Sequence, residues 1–216
     1  MLIGCSTLMF KCMGLAGTIV GAVLGFAVAI LVEPIKSRLY GPRLKVFFGD
    51  SSEFQTKTHE RLTTKNAKKP NNQETSYHKA SYIRIKVTNT KAALAKGCRA
   101  YLVKVEKQHY DGKFHDTIYC DSIPLAWSCR DNRRFLPVDI PKDVNQFVDL
   151  VSTREISKDY RPEIEVSPYR YTDLWQKHGI FRFTVQVSGE NVKPVFIKVE
   201  FAWDRQWDKY LCKLVR

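Results

Sequence analysis

Tyr82–Lys107 reads YIRIKVTNTKAALAKGCRAYLVKVEK, and its alternation of apolar and polar residues decides the fold class. Ile83, Ile85 and Val87 alternate with Arg84, Lys86 and Thr88; Tyr101, Val103 and Val105 alternate with Lys104 and a nearby Glu106. Successive side chains leave an extended backbone on opposite sides, so a period of two with one polar face marks a half-buried antiparallel strand. Working outward, the rhythm returns at Leu44, Val46 and Phe48, at Phe181, Phe183, Val185 and Val187, and at Val195, Ile197, Val199, Phe201 and Trp203. Weaker strand signals lie at Thr117–Ser128, Arg134–Ile140, Gln146–Val151, Glu163–Val166 and Lys209–Val215. No sustained helical period occurs after residue 42.

Seven or more short strands separated by turns predict an all-β fold, an immunoglobulin-like antiparallel β-sandwich over 43–216. Two interruptions stand out. Ser51–Lys79 is polar and basic, and 52–79 reads as a mobile loop carrying Lys57, Arg61, Lys65, Lys68 and Lys69 as candidate surface contacts. Arg154–Gly179 holds Tyr160, Tyr171 and Trp175 and is expected to pack over one end of the sandwich.

The N-terminal segment has a different character. Cys12–Val32 carries no charge. At about 1.5 Å per residue it is long enough to cross a hydrocarbon core of roughly 30 Å. A cleaved signal would have a shorter apolar run and a small-residue cleavage site. The sequence therefore predicts a segment with an uncleaved transmembrane helix over 1–33, followed by a juxtamembrane connector over 34–42. Gly17, Gly21, Gly25 and Ala29 recur every fourth residue, stacking small residues on one helix face where a second copy or another membrane protein can approach. Lys36, Arg38, Arg43 and Lys45 follow the span, against Lys11 before it, which places the sandwich on the cytoplasmic side.

The Tyr82–Lys107 stretch resembles the strand–turn–strand of adhesion-type, CARDB-like immunoglobulin domains. There an apolar strand ends in an Asn-containing turn (here Val87-Thr88-Asn89-Thr90), and small residues lead into the next strand. Pro124–Ser128, Val138–Pro141 and Ser188–Pro194 resemble later segments of uncharacterised prokaryotic membrane-anchored proteins. The resemblance implies a fold and a prokaryotic context, and it carries no active site.

Chemistry is sparse. The chain has 216 residues and a formal charge of +13, with 12% aromatic residues, which fits a packed basic domain. His109, His115, Cys120 and Cys129 are the nearest approach to a metal cluster, but their spacing matches no zinc pattern. No nucleophile elbow, phosphate loop or HExxH motif occurs, so no catalytic residue, cofactor or metal is assigned. Trp203 fits a core face; Trp207, among Arg205 and Lys209, is a candidate surface contact. The expectation is a membrane-tethered, non-enzymatic interaction or scaffold module. The alternatives are a basic binder of nucleic acid or anionic lipid, and a membrane-anchored hydrolase-like enzyme. Nucleic acid is disfavoured because the basic stretch lacks interleaved aromatics.

Overall fold

The structure, a computed structural model, describes residues 41–65, 73–157 and 159–215, together with positions 25, 26, 30, 32, 36 and 40. The chain divides into two units, Met1–Gly41 and Pro42–Arg216. In the first, Gly25, Phe26, Ile30, Val32, Lys36 and Tyr40 are helical. Phe26, Ile30, Val32 and Tyr40 are exposed. A Cβ on Gly25 would meet open space. Gly17, Gly21 and Ala29 lie outside the described residues, as does most of the Cys12–Val32 span. No helix among the described residues is long and apolar enough to cross a membrane. Of the expected connector at 34–42, Lys36 and Tyr40 are helical, Gly41 and Pro42 are not, and the other positions lie outside the described residues.

The second unit is a sandwich of two antiparallel sheets. The first sheet is built on β3 (Gln73–Asn89), flanked on one side by β1 (Leu44–Phe47) and β2 (Gln55–Lys65) and on the other by β9 (Asn145–Arg154). Beyond β9 lie β7 (Ala126–Trp127) and β10 (Tyr160–Pro162). The second sheet runs β13 (Lys209–Val215), β12 (Val192–Gln206), β11 (Gly179–Gly189), β4 (Ala95–Gln108), β5 (Phe114–Asp116), with β6 (Ile123–Pro124) and β8 (Val138–Ile140) also pairing with β4.

The alternation read in the sequence is the alternation of burial. Ile83, Ile85 and Val87 from one sheet face Phe181, Phe183, Val185, Val187, Val199 and Phe201 from the other, all buried. Tyr160 sits at the centre, its ring 5.1 Å from Phe181 and 5.3 Å from Phe201, edge-on to Trp175 and Trp203. Its hydroxyl donates to the Leu174 carbonyl, so the one polar atom of that ring is satisfied. Tyr171 and Trp175, carried on a 3-10 turn (Tyr169–Tyr171) and a one-turn helix (Thr172–Trp175), are also buried, so part of Arg154–Gly179 belongs to the core.

Two further readings change. The expected loop at 52–79 is largely a hairpin: β2 pairs with β3 from Gln55↔Ile83 to Lys65↔Gln73, leaving 66–72 outside the described residues. In Gln55–Glu60 every residue is polar, so the ribbon has no apolar rhythm to announce it. The expected strand at Glu163–Val166 lies slightly earlier, at Tyr160–Pro162, with Ile164 making a single bridge to Leu125.

The turn after β3 is tied by one side chain. Asn89 is fully buried, and its amide oxygen accepts the backbone N–H groups of Arg43 and Lys91 at 3.1 and 3.2 Å. Its amide nitrogen donates to the carbonyls of Ala93 and Ile140 at 2.7 and 3.1 Å. Every hydrogen-bonding position of the carboxamide is occupied, as burial of a polar group requires.

Candidate functional site

Because β11 turns its odd residues to the core, Ile180, Arg182, Thr184 and Gln186 face outward, and the register carries each into a row across the sheet. One row is charged: Asp116, Glu106, Arg182, Glu200 and Lys213 lie opposite one another on β5, β4, β11, β12 and β13. Arg182 donates to Glu200 at 2.8 Å, Lys213 reaches the other Glu200 oxygen at 2.8 Å, and Lys104 bridges Glu106 and Asp116 at 3.1 and 2.7 Å. The Arg182 guanidinium lies 3.7 Å from the Phe114 ring centroid. Desolvation would raise the Glu200 pKa, but the bonds from Lys213 and Arg182 outweigh it and hold the carboxyl below its ordinary value.

The neighbouring row is apolar. Ile180 faces Ala202, which faces Leu211. Leu211 is 78% exposed, and Phe196 further along β12 is 59% exposed. Ile180, Ala202 and Leu211 border a shallow hollow of about 490 Å³, which is also lined by Gly179, Trp203, Asp204, Lys209 and Tyr210. Trp203 is buried, and its indole N–H has no partner among the described residues. A bulge between Trp203 and Gln206, with Arg205 at φ 55°, twists this end of the hairpin.

The outer face of the first sheet is also polar but closed on itself. Arg154 donates to Glu60 at 2.5 and 3.1 Å and approaches Glu163 at 3.6 Å; Arg134 reaches the other Glu163 oxygen at 3.3 Å. Ser152 donates to Glu163, Tyr82 to Glu60, and Ser128 and Arg84 to Asp149. The Arg154 bond depresses the Glu60 pKa, while burial and the Glu60 charge push the Tyr82 phenol up to about 12.

The residues singled out in the sequence fall in different places. Lys57 and Trp207 come together, the ammonium 5.9 Å from the indole centroid. Arg61 and Lys65 sit opposite Tyr77 and Gln73 in the β2–β3 ribbon, and Lys68 and Lys69 lie outside the described residues. His109 and His115 lie with ring centroids 4.5 Å apart, tilted at 57°, across the β4–β5 hairpin, with Asp111 3.6 Å from His115, whereas Cys120 instead approaches the Tyr171 hydroxyl at 3.6 Å. Among the described residues no group of three or more His, Cys, Asp or Glu could hold a metal ion.

The chain matches no family model, no curated protein and no solved structure. The Ile180–Ala202–Leu211 row was missed in the sequence because its members are far apart in the chain. Only the register of three strands assembles them, although Leu211, on the polar side of a predicted terminal strand, was a signal that could have been used.

Proposed function

We propose that the protein is a membrane-tethered, non-enzymatic module that binds a partner protein through the outer face of its second sheet. The observation that carries this reading is the apolar row Ile180–Ala202–Leu211 beside the hollow, left in solvent next to a row of paired charges. Exposed apolar surface rimmed by polar groups is the physical signature of an interaction site. The tether rests on the uncharged Cys12–Val32 run and on exposed apolar residues at the helical positions Phe26, Ile30 and Val32. A cytoplasmic setting fits the positive charge after that run, and it fits free thiols at Cys98, Cys120, Cys129 and Cys212. The sandwich is read as immunoglobulin-like and similar to CARDB-type adhesion domains, with the Gly17, Gly21, Gly25 and Ala29 stripe offering a second contact within the bilayer.

The test is photo-crosslinking in intact cells, with the reactive residue placed at Leu211 and, as a control, at exposed Lys142. A discrete partner band from Leu211 that is absent from Lys142 supports the reading; equal, diffuse labelling overturns it. In the same cells, a membrane-impermeant thiol reagent should leave exposed Cys120 and Cys129 unlabelled until lysis.

A further inference from the structure

We propose that β13 is a docking edge for an extended segment of a partner protein, one that alternates acidic and apolar side chains along a single face. This deepens the interaction reading above and rests on it. β13 is the terminal strand of the second sheet among the described residues, so its backbone groups on the side away from β12 have no strand to pair with. Lys209–Val215 contains neither proline nor glycine, and its bulge lies in the preceding β12, so the strand itself is regular.

Its outward side chains set the pattern of the occupant. Lys209, Leu211, Lys213 and Val215 share the outer face, while Tyr210 and Cys212 turn toward the core. A strand laid alongside would place acidic side chains opposite Lys209 and Lys213, and apolar ones opposite Leu211 and Val215. Opposite charges and apolar pairs across neighbouring strands are favourable. The apolar side chain meeting Leu211 would lie at the rim of the hollow formed by Ile180, Ala202 and Trp203.

Charge argues against a second copy of this chain as the occupant. A two-fold pairing that brings Leu211 against Leu211 also sets Lys209 opposite Lys213 in both directions, and the chain as a whole carries +13. Main-chain pairing supplies affinity in this mode, and the alternate side chains supply selectivity.

The test uses the full chain in mild detergent and a short fluorescent peptide of alternating glutamate and valine separated by threonine, with a lysine-for-glutamate peptide as its mirror. The glutamate peptide should bind saturably and less tightly as salt is raised, and it should slow hydrogen exchange of the Lys209–Val215 amides. Lys209→Glu should weaken that binding severalfold and confer binding of the lysine peptide. Absence of binding, or binding that leaves exchange in β13 unchanged, overturns the proposal. Slowed β13 exchange that follows protein concentration without peptide overturns it in favour of a second copy. If the peptide fails while Leu211 still crosslinks to a discrete partner in cells, the edge pairing falls and the interaction reading stands. If both fail, both fall.

Discussion

On the outer face of the first sheet, Arg154 lies between Glu60 and Glu163, and Arg134, Ser152 and Tyr82 engage what those carboxylates have left. On the outer face of the second sheet, the charged row from Asp116 to Lys213 is followed at once by Ile180, Ala202 and Leu211, with the last standing in water. Both faces carry dense charge, yet one is sealed by reciprocal bonds and the other ends on an open strand. Charge density alone therefore does not distinguish the two faces, since the charges of both are paired. What distinguishes them is the apolar row that only the second face leaves in solvent.

The largest effect should come from breaking the closed face. Glu163 is only 6% exposed, so Arg154→Met would leave it with Arg134 and Ser152 alone and strip Glu60 of its cation. Removing the cation from this partly buried network, where Glu163 keeps two other partners, should cost about 2 kcal/mol. Urea unfolding should show that loss; a change below about 1 kcal/mol would place this network with ordinary solvated surface pairs.

Acid should sharpen the same contrast. Glu60 is depressed below its ordinary 4.5 by the Arg154 bond. A carboxyl lowered on folding contributes stability above its unfolded pKa, and that contribution is lost as pH falls through 4.5 toward the folded value. The urea midpoint should therefore decline below about pH 4.5 in the wild type, and more shallowly in Arg154→Met. Parallel declines in both would mean that Arg154 is not the cause.

A smaller effect is expected from Lys213→Met on the open face. Lys213 is 74% exposed, and Glu200 retains Arg182. The cost should stay within about 0.5 kcal/mol by chemical denaturation. Smallest of all should be Leu211→Ser, whose side chain already meets water: its melting temperature should match the wild type, while the Leu211-face crosslink, read from a reactive residue at Ile180, should weaken. A marked loss of stability would show that Leu211 packs within the fold and does not await a partner.

How far these faces were legible beforehand follows from local rhythm. Tyr82–Thr88, Phe181–Ser188 and Val195–Trp203 each carry their burial pattern within one strand, so the sandwich could be read from them. The β2–β3 ribbon could not, because its sequence is polar without alternation and only cross-strand pairing makes it a hairpin. Polar Ser152 and Thr153 are fully buried in β9, where composition alone would place solvent. The Arg154 network and the Ile180–Leu211 row share the remaining difficulty. Their members are separated by long stretches of chain, and register across the sheets, which no single strand encodes, brings them together.

The clamp at Asn89 has a mechanical consequence. Arg43 is fixed at both of its backbone groups: its N–H is held by the Asn89 amide oxygen, and its carbonyl accepts from the Thr90 N–H and hydroxyl. Arg43 immediately precedes β1, which pairs with the end of β3 from Leu44↔Asn89 onward. A pull transmitted along the chain from residues before 43 thus meets this knot before it reaches β1. Because the Asn89 carboxamide also holds Ala93 and Ile140, the load spreads to the loop before β4 and to β8. The first strand is anchored against being peeled away from its N-terminal end.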